Sequence, residues 1–323
     1  MPDRGRCRPW RWLLACVLLW AGPATGGAAV PVAVVLSKAG GIHAQTLAGL
    51  RQRLAAAGAP VRIKVLELDE SGALSRATLA RGRFRLLVAV GSRATQAALV
   101  HRREVPVLSV LMPEVAVRAL AGLPEPGDDG RFAVIYLDQP PDRQMAFIRR
   151  LLPRARTVGV LLGRLGQGKR RLLAQAARRH GLELRAAVVE DPARTAAVIQ
   201  DMVGGSDVVL AVYDPVVINA RSARWLLVSA YQKQVPVIGF SRAFVRAGAL
   251  ASLYSSPRLV GRQAAELILE MAAAGRWRML GPYYPRYFSV EFNRRLARAL
   301  RIRLPDEEQL SRQMEGFVPD AVL

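Results

Sequence analysis

The strongest constraint on the fold is that one pattern of segments occurs twice along the chain. In both halves a short apolar run leads into a glycine-rich turn, an amphipathic stretch and a second run that ends in acidic residues. The matching segments are 33–70 with 159–191, 86–99 with 208–220, and 104–110 with 234–240. Because three landmarks recur in the same order at nearly the same offset, we predict two similar lobes.

Alternation of short apolar runs with longer amphipathic stretches predicts the class of each lobe. The spacing of the runs is that of β-α units, which is typical of parallel sheets with helices on both faces. Candidate strands begin near Pro31, Val61, Phe84, Val105, Phe132, Thr157, Leu182, Ser206 and Val235. We therefore predict an α/β fold of two doubly wound parallel-sheet lobes joined by a hinge.

The predicted fold also indicates where a ligand would bind. In an open parallel sheet, ligands bind beyond the carboxyl ends of the strands, where loops and helix N-termini converge. Two lobes that face each other with those ends would form a cleft, and hinge closure would trap a small molecule there.

The first 29 residues have the order of a secretory signal peptide. Four arginines precede an apolar run from Trp12 to Ala21, and small residues follow. The arginines are Arg4, Arg6, Arg8 and Arg11. The run is shorter than the roughly 20 apolar residues of a membrane-spanning helix. We predict that residues 1–29 are removed near Ala28 or Ala29 and that the protein is exported to the periplasm.

The cysteine and histidine residues exclude several chemistries. Cys16 lies in a stretch that resembles a lipoprotein cleavage site, but the apolar run continues past it to Trp20, so lipid anchoring is not expected. The other cysteine is Cys7, and the processed chain would have no disulfide or thiol nucleophile. The three histidines are scattered without metal-ligand spacing, and we expect no metal and no cofactor.

The charge of the chain does not by itself indicate a nucleic-acid binder. The formal net charge is +22, and all but four of the 47 basic residues are arginine. A nucleic-acid binder concentrates its basic residues on one element, whereas here they are spread along many helical segments. The distribution favours a solvated basic surface.

The segment from Gly163 to Lys169 is nearly a phosphate-binding loop. Its spacing matches G-x-x-x-x-G-K, but Arg170 stands where that motif has the Ser or Thr that binds magnesium. The glycines therefore predict a tight turn and not a nucleotide site. The sequence also has no G-x-S-x-G motif, and its three histidines offer no Ser–His–Asp set. We therefore predict no catalytic residues and no enzymatic activity.

Polar residues after the predicted strands are the candidate ligand-binding residues. In the first lobe they are Ser37, Lys38, Gly91, Ser92 and Thr95. Backbone N–H groups and hydroxyls at a helix start can hold a carboxylate, although Ser92 and Thr95 are equally suited to capping a helix.

In the second lobe the candidates follow the corresponding strands. They are Gly163, Arg164, Tyr213, Asp214, Asn219, Phe240, Ser241 and Tyr254. Asp214 is the strongest candidate because its carboxylate could accept hydrogen bonds from a ligand amine. Its alternative role is to cap the next helix ahead of Pro215. Tyr213 and Tyr254 could stack on a flat ligand, and residues 282–285 are interpreted as a rigid connector between lobes.

Several segments resemble ABC-transporter substrate-binding proteins of the type-I periplasmic-binding fold, and more narrowly the subgroup that includes binders of aromatic amino acids. The resemblance lies in many moderately specific segments and covers nearly the whole processed chain. The segments are LVAVGSRATQAAL (87–99), VPVLSV (105–110), YLDQPPDRQMAFIRRLLPRARTVGVLLG (136–163), 211–215, VPVIGFSRAFVRAGALASLYSS (235–256), GRQAAELILEMAAAGR (261–276) and RYFSVEFNRRLARALRIRLP (286–305).

The resemblance implies a clamshell that captures a small polar solute, amino-acid-like or a small carboxylate, for a permease driven by a cytoplasmic ATPase. It also implies that the lobes are discontinuous in sequence. A monomer is expected for a binder that shuttles its solute, and the spread of basic residues predicts no nucleic-acid partner. The expected lobes are 30–137 completed by about 252–285, and 138–251 completed by about 286–305, followed by a C-terminal tail over 306–323.

Two stretches near the expected cleft depart from the family pattern. A Thr-Asp-Pro-Val-like stretch is replaced by Met112-Pro113-Glu114-Val115, and a later small polar turn is replaced by residues 132–135. A ligand other than an amino acid therefore stays open. So does an alternative function, an exported ligand-sensing or interaction module that acts on a membrane receptor or kinase without transport.

Overall fold

The chain forms two β-sheets, each with helices on both faces, in a computed structural model that describes residues 29–120, 125–315 and 317. The predicted signal peptide lies outside the described residues except for Ala29. The strands are β1 (Val30–Leu36), β2 (Val61–Leu66), β3 (Leu86–Val90), β4 (Val107–Met112), β5 (Phe132–Tyr136), β6 (Thr157–Gly163), β7 (Glu183–Val189), β8 (Val208–Leu210), β9 (Val237–Gly239), β10 (Ala251–Tyr254) and β11 (Ser289–Phe292).

The helices alternate with these strands. They are α1 (Gly41–Ala56), α2 (Arg76–Gly82), α3 (Ser92–Leu99), α4 (Glu114–Arg118), α5 (Pro141–Leu151), α6 (Lys169–Arg179), α7 (Thr195–Gly204), α8 (Ala220–Gln232), α9 (Arg242–Ala247), α10 (Pro257–Ala274), α11 (Arg294–Ala299) and α12 (Glu307–Glu315). Among the helices of 29–120 and 125–315, none has the length and apolar character that a membrane crossing requires.

The two sheets repeat one topology. The first has the strand order β2-β1-β3-β4-β5, and the second has β7-β6-β8-β9-β10 with β11 added at its edge. All neighbouring strands are parallel except β10 and β11, which pair antiparallel. Each predicted strand start lies within two residues of an observed one. The predicted fold class of two similar parallel-sheet lobes is therefore confirmed.

The strands form because their apolar runs are buried on both faces. Every residue of β3 (LLVAV) and β4 (VLSVLM) is buried. Such runs are expected where helices cover both faces of a parallel sheet, since no strand face meets water. Separate apolar cores consequently lie above and below each sheet.

The chain passes between the two sheets three times. It leaves the first sheet after β5, returns after β10 to place α10 against α1, and crosses again after Tyr283, which bridges to Ile135 at the edge of the first sheet. It then adds β11 to the second sheet. The sequence places the lobe boundaries near these crossings, and the exact bounds stay a prediction.

Helices α1 and α10 approach closely through two glycines. A Cβ atom on Gly261 would lie 2.0 Å from the backbone oxygen of Thr46, and one on Gly49 would lie 2.1 Å from that of Arg258. Neither distance is compatible with a side chain, so both helices need glycine at the contact. This contact fixes α10, which follows a strand of the second sheet, onto the first lobe.

Gly261→Ala is expected to destabilise the protein by about 2 kcal/mol, because the added methyl group forces the two helices apart. Urea unfolding followed by circular dichroism would measure the change. Ala273→Ser, at an exposed position of the same helix, is the control and should change the free energy of unfolding by less than about 0.5 kcal/mol. Equal effects of the two substitutions would contradict the close-contact account.

Candidate functional site

A small cavity lies between the two lobes, beside the crossings. Its volume is about 30 Å³, room for about two water molecules. Its polar lining comprises Glu114, Asp138, Gln139, Gln144 and Lys169. Its aromatic lining comprises Tyr213, Phe240 and Tyr284. The cavity is therefore a mixed site in which charged and aromatic groups meet.

The lining residues come together because strand ends of both sheets face the cavity. Glu114 opens α4 just after β4, and Asp138 follows β5. From the second lobe, Lys169 opens α6 beyond β6, Tyr213 follows β8 and Phe240 follows β9. The carboxyl edges of two parallel sheets thus converge on one space, as the general rule for ligand sites in such folds predicts.

A buried ion cluster joins the lobes at this cavity. The ammonium of Lys169 donates to Oδ1 of Asp138 at 2.5 Å and lies 3.2 Å from Oε2 of Glu114. The other oxygen of Asp138 accepts from the backbone N–H of Glu114 at 2.8 Å. The other oxygen of Glu114 accepts from Arg118 at 2.9 Å. The three central side chains are between 5 % and 7 % exposed.

The cluster and its burial shift the pKa values of Lys169 and of two nearby tyrosines. Burial acts to lower the pKa of Lys169, but the carboxylates of Asp138 and Glu114 outweigh it and the pKa is raised. The neighbouring phenols of Tyr136 and Tyr284 have raised pKa values, chiefly because of burial and then because of the Glu114 carboxylate. The site therefore presents a charged ammonium and neutral phenols near pH 7.

Contacts around the turn before α6 close the cleft. A Cβ atom on Gly166 would lie 3.6 Å from Cγ1 of Val115, and one on Gly168 would lie 3.8 Å from the guanidinium carbon of Arg118. Helix α4 of the first lobe therefore lies directly on this turn of the second lobe. The described conformation is closed.

The glycine-rich turn that resembles a phosphate-binding loop has another explanation. The backbone N–H of Gly163 donates to Oδ2 of Asp214 at 2.8 Å, and a Cβ atom on Gly166 would lie 2.9 Å from the same oxygen. The glycines are needed because the Asp214 carboxylate lies directly beneath the turn. Lys169, the residue that would bind phosphate in such a loop, is paired with two carboxylates instead.

Asp214, the strongest sequence candidate, does not line the cavity. Its side chain is buried, and besides Gly163 it accepts from the backbone N–H of Val216 at 3.2 Å. The predicted alternative, capping a helix that begins at Pro215, is also not what forms: α8 begins at Ala220. Asp214 fixes the turn before α6 to the loop after β8.

Of the thirteen predicted ligand-binding residues, the structure places Tyr213 and Phe240 at the cavity. Their rings contact each other edge to face with centroids 5.6 Å apart. The side chains of Lys38, Ser92 and Arg164 belong to exposed residues. None of these three lines the cavity.

The remaining predicted residues make internal hydrogen bonds. Thr95 is fully buried and bonds to the carbonyl of Gly91 and the hydroxyl of Ser109. Ser37 accepts from the N–H of Ala94, and Tyr254 donates to Glu291. Asn219 and Ser241 cap α8 and α9 respectively. These bonds give each residue a structural role, and their predicted contact with a ligand stays a prediction.

Sequence reasoning missed six of the eight polar and aromatic lining residues, namely Glu114, Asp138, Gln139, Gln144, Lys169 and Tyr284. Glu114 stands in a stretch that departs from the family pattern, and Asp138 follows a strand, so each had a signal. Lys169 was considered only as a phosphate ligand. Tyr284 lies in the segment interpreted as a rigid connector, yet its ring lines the cavity and contacts that of Tyr136 at 5.6 Å between centroids.

A hydrogen-bond network links the three crossings. Gln139 donates to the hydroxyl of Ser255 at 2.8 Å, and Ser255 donates to the carbonyl of Tyr287 at 2.5 Å. The guanidinium of Arg143, which is 1 % exposed, donates to Gln139. It also donates to the carbonyl oxygens of Pro285 and Phe317. Burial lowers the pKa of Arg143 to about 10.

Fold and cleft together define a class, the two-lobed binding proteins of the type-I periplasmic-binding fold. A family model described as ABC transporter substrate binding protein matches residues 31–281. The chain belongs to this family of ligand-binding proteins. No curated protein matches it in sequence.

Solved structures share the fold. A ligand-free, open structure of a substrate-binding protein with adhesive properties from Clostridium difficile is 18 % identical, with a TM-score of 0.66, over 87 % of this chain and 98 % of that one. An ABC domain from Streptococcus pneumonia in complex with L-Trp is 18 % identical, with a TM-score of 0.58, over 86 % and 97 %. A conserved domain protein from Vibrio cholerae is 21 % identical, with a TM-score of 0.57, over 88 % and 98 %.

Asp214→Ala is expected to cost about 3 kcal/mol of stability, because the buried N–H of Gly163 and the part-buried N–H of Val216 lose their acceptor. Asp207→Ala is the matched control: Asp207 also accepts from two backbone N–H groups, of Arg156 and Thr157, but it is exposed. Water can replace its carboxylate, so the loss there should be about 1 kcal/mol or less. Urea unfolding of both variants measures the difference, and equal losses would show that burial of Asp214 is not decisive.

Proposed function

We propose that the protein is an exported solute-binding protein that captures a small polar molecule between its lobes and delivers it to an ABC-type permease. The observation that carries the proposal is the cavity at the facing carboxyl edges of two sheets joined by three crossings. Such a pair of lobes closes around a ligand by rotation at the crossings. Family membership supports the same function.

The solute is proposed to be amino-acid-like or a small carboxylate. Groups of both charge signs line the cavity, since Lys169 lies beside two carboxylates. Three aromatic rings complete the lining. A zwitterion with an apolar body suits such a lining. The Streptococcus pneumonia structure of the same fold holds L-Trp, which has these features.

The proposal includes the arrangement of the protein in the cell. Residues 1–29 direct export and are removed, and the protein works in the periplasm as a monomer without a cofactor or catalysis. Two domains are proposed, 30–137 with about 252–285 and 138–251 with about 286–305. Its macromolecular partner is the permease with the cytoplasmic ATPase.

One observation favours a second candidate function. The closed cleft is held by the protein's own ion cluster, and about 30 Å³ remains inside. A protein that adopts its closed form through its own side chains suits a ligand-sensing or interaction module that acts on a membrane receptor or kinase. Such a module would not deliver the solute.

A thermal-shift screen against amino acids, small carboxylates, sugars and nucleotides tests the proposal. A solute at about 100 times its Kd adds roughly 2.7 kcal/mol to stability, which raises Tm. Tyr213→Ala and Phe240→Ala should each weaken binding of the hit about tenfold or more in calorimetry, since each removes an apolar ring that faces the cavity. The control, Tyr231→Ala on α8, alters a 59 % exposed ring outside the cavity and should leave Kd unchanged.

The screen separates the candidate functions. A shift with one small solute that depends on Tyr213 and Phe240 supports capture in the cleft. Absence of any shift favours the sensing or interaction module, and a shift with ATP alone would overturn the interpretation of the glycine-rich turn.

A further inference from the structure

The cavity between the lobes has a charge opposite to that of the protein. The chain carries a formal net charge of +22, yet two carboxylates, of Glu114 and Asp138, face this cavity, with Lys169 as the one cation among the described lining residues. A buried carboxylate is costly unless a cation or hydrogen-bond donors satisfy it. Two of them at one cavity therefore form a binding place for an ammonium group, which Lys169 occupies in this conformation.

Cations already pair with both carboxylates. The ammonium of Lys169 donates to Asp138 and forms an ion pair with Glu114, 3.2 Å from its Oε2. Oε2 is fully buried, and the other oxygen of Glu114 accepts from Arg118. Glu114 as a whole is 3 % exposed and lines the cavity. The Lys169 ammonium therefore occupies a place between two buried carboxylates that line the cavity.

The rings around the carboxylates suit a cation better than an anion. Tyr213, Phe240 and Tyr284 line the same space, and the faces of aromatic rings attract ammonium groups. An anionic ligand without an amine would lie beside two carboxylates whose cations, Lys169 and Arg118, are already paired with them. A cationic group would instead form charge-assisted hydrogen bonds.

We propose that the cavity binds the ammonium group of a small organic solute and that, in the closed conformation, Lys169 occupies this ammonium subsite with its own side chain. A ligand enters by displacing the Lys169 ammonium from Glu114 and Asp138 as the lobes open. Solutes that carry only a carboxylate do not fit the subsite. The inference rests on the proposed function, because it assigns the ligand class of the same cleft.

Calorimetry with two matched probes tests the inference on the purified protein. Phenethylammonium carries a ring and an amine, and 3-phenylpropionate carries the same ring and a carboxylate. The amine is expected to bind at least tenfold more tightly than the carboxylate. Equal or tighter binding of the carboxylate, or no binding of either probe, overturns the inference. The thermal-shift screen of many solutes then shows whether the proposed function fails as well. A solute that raises Tm in that screen would still support capture in the cleft.

Variants test whether Lys169 competes with the ligand for the ammonium subsite or binds the ligand itself. Lys169→Met removes the competing ammonium and should tighten phenethylammonium binding at least tenfold, whereas Glu114→Gln should weaken it at least tenfold. The matched control is Arg170→Met, at the exposed next position, which should leave binding unchanged. Weaker phenethylammonium binding by folded Lys169→Met would overturn the displacement step. If that variant does not fold, the comparison of the two probes on the unaltered protein decides.

Discussion

The buried contact of Lys169 with Asp138 and Glu114 is the interaction on which the closed form depends. A charge at this depth is costly when it stands alone, and removal of one partner leaves the others uncompensated. Glu114 belongs to the first lobe and Lys169 to the second, so their charges are satisfied together only when the lobes are close. The small cavity and the contact of α4 with the turn before α6 both depend on this cluster.

The fold could be predicted from the sequence because its signals are local. Continuous apolar runs such as β3 and β4 indicate buried parallel strands, and their repetition indicates two lobes without any knowledge of tertiary contacts. Strands β10 and β11 were not among the candidate strands, and residues 286–305 were expected to complete the second lobe only through the resemblance. The pairing of these two strands depends on where the third crossing places the chain.

The site was predictable only in part. Tyr213 and Phe240 were found because the rule on strand ends applies to them directly. Glu114 and Lys169 were not, because their significance arises from the closure of one lobe on the other, which no local pattern records. Asn219 and Ser241 were predicted only as ligand-binding residues, and the structure shows that they cap α8 and α9; the sequence did not show where these helices begin.

The hydrogen-bond network at the three crossings is centred on one residue of the second lobe, Arg143. Arg143 belongs to α5, which packs on α6, and it reaches the three crossings through Gln139, Ser255 and Pro285. Its remaining donors bind the carbonyl of Phe317, beyond the region that the family model matches. The second lobe therefore holds the residues at the crossings through this one guanidinium. Proteolytic loss of Phe317 would leave the buried guanidinium of Arg143 short of acceptors beside the crossings. Such damage would therefore alter how the two lobes are held relative to each other.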